Sequence, residues 1–170
     1  MATDPRDELW LATYNTWYDA YYQELLAETL ISRWLKLDEC TKVAAAVTSS
    51  GSAIAGLALW KDPSLTWLWP ALTGVAALLA IVTDKLAVSV KLRDHGDTLR
   101  AFSTLRIDLD TFRTRMSVNP TFDVSTFEAD LLVFRKRFGD VYLRVKSDAL
   151  VTRSLENRIQ ADLNARIAQP

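Results

Sequence analysis

The sequence predicts an all-α protein, in which a two-helix transmembrane hairpin carries a cytoplasmic antiparallel coiled coil or three-helix bundle. Two observations lead to this fold class. Between Val43 and Thr83 the only charged residues are Lys61 and Asp62. On both sides of that stretch, apolar residues recur at steps of three and four, which is the period of amphipathic helices. A nearly uncharged block between two charged, periodic flanks indicates two solvents.

Residues 1–41 are predicted to form an amphipathic cytoplasmic helix. Asp4 suits the N-cap, Pro5 suits the first helical position, and acidic residues follow in the first turn. An aromatic stripe then recurs at steps of four, three and four: Trp10, Tyr14, Trp17 and Tyr21. A stripe with this spacing is typical of a packing face, and its residue types also suit a surface near lipid headgroups.

Residues 42–83 are predicted to form the transmembrane hairpin, with spans at 43–60 and 65–83. Each span reaches the lower part of the length that crosses about 30 Å of hydrocarbon. The second span is rich in Leu, Val and Ile, whereas the first is rich in Ala, Gly, Ser and Thr and is expected to insert only as half of a hairpin. The interfacial anchors flanking the turn are Trp60, Trp67 and Trp69.

The distribution of Lys and Arg predicts the orientation. These cations are frequent just before the first span and just after the second, whereas the loop between the spans contains Lys61 alone. The positive-inside rule therefore places both termini in the cytoplasm and the two spans in the inner (plasma) membrane. The N-terminus also lacks the basic and apolar regions of a signal peptide.

Residues 84–170 are predicted to form a cytoplasmic coiled-coil hairpin with its turn near 117–122. One heptad seam extends from Val88 to Met116, and a second extends from Val124 to Val145 and continues more loosely to Ile167. Asn119 and Pro120 interrupt the pattern, and Asp123 or Ser125 is expected to cap the next helix.

Small residues recur at every fourth position of the first span and form a ladder: Ala44, Thr48, Ser52 and Gly56, with Ser49 beside it. Small residues at this spacing allow membrane helices to approach closely. The ladder has two interpretations. It packs only against the second span, or its hydroxyl side faces other protomers of a homo-oligomer and lines a pore.

The content of chemically reactive residues argues against an enzyme. A single His and a single Cys leave little material for a catalytic or metal site, and no phosphate-binding glycine loop is present. We therefore predict no catalytic residue, metal or cofactor. The C-terminal half balances 15 Lys/Arg against 12 Asp/Glu from residue 84 onward, which disfavours nucleic acid as a partner. His95 occupies a seam position, which is typical of a histidine whose hydrogen bonds are satisfied in or beside the core. The alternative is that His95 and Gly96 together form a hinge or switch.

The order of these elements resembles the SLATT superfamily of bacterial two-transmembrane effector domains. The resemblance rests on the aromatic approach WYDAYYQELLAETLISRWLK, the small-residue stretch AAAVTSSGSAIAGLALW and the long helix DKLAVSVKLRDHGDTLRAFSTLRIDL. It implies an oligomeric, pore-forming or membrane-disrupting effector of antiphage (antiviral) defence. Since no sensing domain is evident, it also implies a separate cytoplasmic sensor protein as partner.

Three other interpretations remain beside this one. The layout also resembles the mitochondrial calcium uniporter type, but the loop Trp60-Lys61-Asp62-Pro63-Ser64 lacks the acidic motif of that family, so selective divalent-cation conduction is disfavoured. A membrane-anchored coiled-coil scaffold would recruit partners without conducting. A helical bundle with the hairpin buried inside it would not enter the bilayer.

Overall fold

The computed structural model describes residues 4–59, 74, 77, 88–145 and 148–168; the side chains of 44, 45, 47–59, 144 and 145 lie outside the description. Four longer helices are described: α1 (Pro5–Leu59), α2 (Val88–Val118), α3 (Val124–Val145) and α4 (Arg153–Ile167). No strand occurs among these residues. The predicted all-α class is confirmed.

The chain divides into two compact units. The first contains Met1–Ile31 and Asp94–Pro170, and the second contains Ser32–Arg93. Residues 43–59 of the first predicted span are helical as the last part of α1. Apart from residues 74 and 77, the second predicted span lies outside the described residues. Of the helices that are described, none is long and apolar enough to cross a membrane.

Helix α1 begins where its sequence predicts. The side chain of Asp4 accepts a hydrogen bond from the Arg6 backbone N–H at 2.9 Å, and the Asp4 carbonyl accepts one from the Asp7 N–H at 2.9 Å. Pro5 follows as the first helical residue. These contacts satisfy N–H groups that the first turn cannot pair internally.

The core of the first unit is built from α1, α2, α3 and the connection between α2 and α3. The heptad seam predicted in α2 is its largest contributor, because large apolar residues from this helix are almost fully buried. Those buried residues are Phe102, Leu105, Leu109, Phe112 and Met116.

Aromatic contacts join α2 to α3 at both ends of the pair. Phe102 lies 5.5 Å from Phe138 between ring centroids, and Phe112 lies 5.1 Å from Phe127. The middle of α2 therefore contacts the later part of α3, and the later part of α2 contacts the start of α3. Asn119 closes the connection by accepting a backbone hydrogen bond from Phe122 at 3.1 Å.

The deepest seam of α1 is different from the aromatic stripe and was not predicted. It alternates at steps of four and three and consists mainly of small or polar side chains: Leu9, Thr13, Thr16, Ala20, Gln23, Ala27 and Leu30. The hydroxyl of Thr13 donates to the Leu9 carbonyl at 2.8 Å, and that of Thr16 donates to the Ala12 carbonyl at 2.8 Å. Because each hydroxyl is satisfied within its own helix, these residues can be buried at little cost.

The second seam of the coiled coil does not continue as one helix to Ile167. Helix α3 ends at Val145, and α4 begins only at Arg153. Asp148 starts a turn in which its side chain accepts from the Leu150 N–H at 2.8 Å, and Thr152 caps α4 by accepting from the Leu155 N–H. The predicted loose continuation is thus a separate helix, which buries Leu155, Ile159 and Leu163.

Within the second unit, Trp34 is buried with 2% of its surface exposed. Lys42 forms an ion pair with Asp38 at 2.6 Å, one helical turn away. Leu35 and Val43 remain exposed on the same stretch of α1. This stretch therefore has one buried side and one side that keeps apolar groups at the surface.

Asp123 caps α3, and its titration makes the stability of this helix depend on pH in the acidic range. Its carboxylate accepts hydrogen bonds from the hydroxyl of Thr126 at 2.6 Å, the hydroxyl of Ser125 at 2.8 Å and the Thr126 N–H at 3.0 Å. These bonds to the charged form lower the pKa of Asp123 from 3.8 to about 2.

Because folding lowers the pKa of Asp123, the charged carboxylate stabilises the folded chain. This contribution to the free energy of unfolding is fully present above pH 3.8 and is lost as the pH falls through about 2. Asp123→Asn retains an acceptor but does not titrate, so we expect it to remove part of the acid-induced loss in this window. Thermal unfolding followed by helical circular dichroism from about pH 4 to about pH 2 measures this. Identical pH profiles for the two proteins would contradict it.

Candidate functional site

His95 and Asp148 form a buried polar pair in the first unit. His95 Nε2 lies 2.7 Å from Asp148 Oδ2, and the side chains are only 6% and 2% exposed. This distance is that of a hydrogen bond between the imidazole ring and the carboxyl group. The other carboxylate oxygen holds the Leu150 N–H. The pair connects the first part of α2 to the segment between α3 and α4, which is called the link below.

Gly96, the second residue of the predicted hinge, lies inside α2. A Cβ built at this position meets no described heavy atom within 4 Å beyond its own helical turn. A close approach to another element therefore does not explain the glycine. Its remaining effect is on the backbone, because glycine loses more conformational freedom than alanine when a helix forms. A role as a hinge stays a prediction.

Gly96→Ala is expected to raise the free energy of unfolding by about 0.5–1 kcal/mol, since alanine is the better helix former and the space is open. Chemical denaturation of the purified chain measures the change. Gly139→Ala in α3 is a matched comparison, because its Cβ would also meet nothing within 4 Å. A gain at Gly139 combined with a loss at Gly96 would show that α2 needs glycine for a reason other than its helical packing.

The aromatic stripe of α1 stacks against arginines of α2. The guanidinium carbon of Arg113 lies 4.5 Å from the ring centroid of Trp17, 5.2 Å from Tyr14 and 5.6 Å from Trp10. Cation–π attraction of this kind strengthens when the cation is partly removed from water, and only 22% of the Arg113 side chain is exposed. The predicted packing role of the stripe is confirmed.

A second arginine, seven residues earlier on α2, repeats the arrangement. Arg106 lies 4.9 Å from the ring centroid of Tyr21, and its Nε donates to Glu24 at 2.5 Å. Both partners of this ion pair are largely covered, with 29% and 14% exposure. Because seven residues make two turns, Arg106 and Arg113 face α1 together. They define the register between the two helices.

Tyrosines on another side of α1 hold α4. The Tyr18 hydroxyl donates to Asn164 Oδ1 at 2.6 Å and accepts a hydrogen bond from Gln160. Burial, followed by the charge of Glu156, raises the pKa of Tyr22 above its ordinary value of 10.0. Burial also raises the pKa of Asp19. Helix α4 thus adds polar contacts to the apolar ones made by its three buried residues.

Two arginines of α3 have partners on other helices of the first unit. Arg137 donates to Asp108 at 2.8 Å, and Arg135 donates to the Thr16 hydroxyl at 3.4 Å. Such contacts are typical of a helical face that is solvated and laced with ion pairs. In the part of the chain that the structure describes, no three His, Cys, Asp or Glu side chains are placed to hold a metal ion.

Of the residues predicted for function, His95 and Gly96 are described in full. The small-residue ladder lies in the helical part of α1, but its side chains are outside the described residues: Ala44, Thr48, Ser49, Ser52 and Gly56. The interfacial anchors are also outside the description: Trp60, Trp67 and Trp69. The hypotheses attached to them stay predictions.

Two sets of contacts in the first unit were not predicted from the sequence. His95 and Asp148 are 53 residues apart, and no local spacing relates them. The signal for the arginine stacks was present, because Arg106 and Arg113 repeat at one heptad while Trp and Tyr repeat in α1. When compared with protein-family models, curated proteins and solved structures, the chain matched none of them.

Proposed function

We propose that this chain is an oligomeric membrane effector that forms pores or otherwise disrupts the bilayer, acting in antiphage defence with a separate cytoplasmic sensor. The observation that carries the proposal is the stretch from Val43 to Thr83, in which Lys61 and Asp62 are the only charges. Two apolar segments joined by a short polar turn favour insertion as a helical hairpin. The resemblance to SLATT effector domains supports the same function.

The continuity of α1 supports a mechanism. The first part of this helix packs in the core of the first unit, and the same helix continues to Leu59, past the small-residue ladder. The proposed mechanism is that movement of the packed part acts on the ladder through the continuous backbone of α1. In the proposed active state, the hydroxyls of Thr48, Ser49 and Ser52 meet those of neighbouring protomers and line the conducting path.

The trigger is proposed to act on the link between α3 and α4. The buried contact between His95 and Asp148 joins this link to α2. A sensor that binds α4 or its link competes with that contact, and Gly96 gives α2 a residue at which the helix can bend. The sensor thereby changes the packing that holds α1, with no cofactor or chemical reaction required.

The experiment has two stages. Membrane fractionation of the expressed full chain comes first, and recovery without detergent in the cytosolic fraction would sink the proposal. Dye leakage from liposomes containing the purified chain comes second, together with growth arrest on expression. We expect Ser52→Leu to abolish leakage and toxicity while leaving insertion intact. Ser117→Leu, at an exposed position of α2, is the matched control and should leak like the wild type.

A second candidate is a membrane-anchored scaffold, which one observation favours. Helix α3 exposes Leu132, Val133 and Leu143 at its surface, and exposed aliphatic groups are typical of protein contact sites. A scaffold leaves liposomes tight under all conditions. Its function is then lost by changes on α3 rather than by changes at Thr48 or Ser52.

A further inference from the structure

The outer face of α3 carries apolar side chains that contribute nothing to the core. Leu132, Val133 and Leu143 are 59%, 58% and 77% exposed. The opposite side of the helix faces the core through buried Phe127 and Leu131. Helix α3 therefore has two apolar faces, of which the core covers only one.

The exposed residues on this face follow a second heptad seam. Steps of four, three, four and three connect its members, all of them exposed: Ala129, Val133, Lys136, Asp140 and Leu143. Alternation of this kind is the pattern through which two helices pack along their length. The seam defines an outer heptad face, which also includes Leu132 beside Val133.

The outer heptad face is complementary to itself when two copies lie antiparallel. The midpoint of 133 and 143 is residue 138, and so is the midpoint of 136 and 140. A two-fold axis that crosses the outer heptad face at the level of residue 138 therefore places Val133 opposite Leu143 of the second copy. The same axis places Lys136 opposite Asp140, and each pairing occurs twice, as in an isologous interface.

The charges on this face are available for such pairing. Lys136 and Asp140 are both exposed. In the described part of the first unit, neither takes part in any of the ion pairs, whereas their neighbour Arg137 pairs with Asp108. A parallel arrangement of two α3 helices would place like residues together and would bring Lys136 next to Lys136.

We propose that the outer heptad face of α3 binds a second copy of this chain in an antiparallel, two-fold arrangement. Paired contacts between Val133 and Leu143 form its apolar part, and paired contacts between Lys136 and Asp140 select the antiparallel direction. The interface is independent of the transmembrane hairpin, so it goes beyond the proposed function. It specifies how the parts of the chain outside the predicted hairpin bring two copies together.

The first test is the mass of the purified full chain in mild detergent, by sedimentation over about 1–100 μM. We expect the wild type to dimerise. Leu143→Asp should raise the dissociation constant by more than about 100-fold, because each dimer loses two buried leucine contacts. Ile107→Asp is the matched control, since Ile107 is a 54% exposed aliphatic residue on α2, and it should dimerise like the wild type.

The second test is a charge exchange. Lys136→Asp alone and Asp140→Lys alone each turn two attractions into two repulsions, and each should weaken the dimer about tenfold. The double variant restores both pairs with reversed sign and should restore the wild-type dissociation constant. Restoration identifies the antiparallel pairing, and it does not depend on whether Leu143→Asp folds.

A wild-type monomer over the whole concentration range overturns the inference. A dimer that neither Leu143→Asp nor the charge exchange affects overturns it as well, and so does a larger oligomer whose size Leu143→Asp does not reduce. Liposome leakage separates this result from the proposed function. Dimers that follow the expected pattern but leave membranes tight uphold the interface and refute the effector. A chain that is monomeric in detergent but still causes leakage from liposomes overturns the interface and supports the effector.

Discussion

Replacing Phe112 by alanine is expected to lower the free energy of unfolding by about 3–5 kcal/mol. The side chain is 2% exposed and lies between two rings of α3, with centroids at 5.1 Å from Phe127 and 5.4 Å from Phe134. Its truncation removes buried apolar surface and leaves a cavity that rigid neighbours fill poorly. Denaturant unfolding followed by helical circular dichroism measures the loss.

Ile107→Ala provides the control on the same helix. Because Ile107 is mostly exposed, its truncation should change the unfolding free energy by no more than about 0.5 kcal/mol. Equal effects at the two positions would contradict the burial of Phe112. An unchanged slope of unfolding free energy against denaturant would show that the loss is one of stability.

The second large effect is expected at His95. His95→Ala should lower the free energy of unfolding by about 3 kcal/mol, because it removes a hydrogen-bond partner from an Asp148 side chain that is almost completely buried. His95→Gln keeps an N–H donor and should lose less. The residual contact between Asp148 and the Leu150 N–H limits the damage in either variant.

A double-mutant cycle isolates this contact from other effects of truncation. His95→Ala and Asp148→Ala should be coupled by more than about 1 kcal/mol. Arg137 and Asp108 form the comparison pair, since they lie 2.8 Å apart but are 45% and 39% exposed. Their coupling should stay below about 1 kcal/mol. If the coupling between His95 and Asp148 is no greater than that of this surface pair, the buried geometry of His95 and Asp148 is contradicted.

Where apolar residues are large and regularly spaced, sequence reasoning predicted the fold well. The seam from Val88 to Met116 appears in α2 with most of its apolar members buried, whereas Leu92 and Leu99 are half-buried. Asp4 and Pro5 start α1, and Asp123 starts α3. In each case the determining interaction is local, or repeats at the helical period, so a single stretch of sequence contains it.

The features that were not predicted share a physical cause. Each depends on a contact between residues far apart in the sequence, or on polar residues that become buried. The buried seam of α1 uses Thr13, Thr16 and Gln23, which hydropathy ranks as surface residues. The break before α4 contains neither Gly nor Pro and depends instead on the Asp148 side chain. The pair of His95 with Asp148 exists only after the helices have packed.

The buried threonines of α1 have a mechanical consequence. Because their hydroxyls bond to carbonyls of their own helix, these threonines bind the neighbouring helices only weakly. Among the described residues, the one hydrogen bond that they receive from another helix is the long one from Arg135 to Thr16, at 3.4 Å. The closest charged contacts between α1 and α2 lie beside this seam, where Arg106 and Arg113 stack on aromatic rings of α1. We therefore expect that loss of these two arginine contacts would let α1 shift along α2 while the apolar core stays packed.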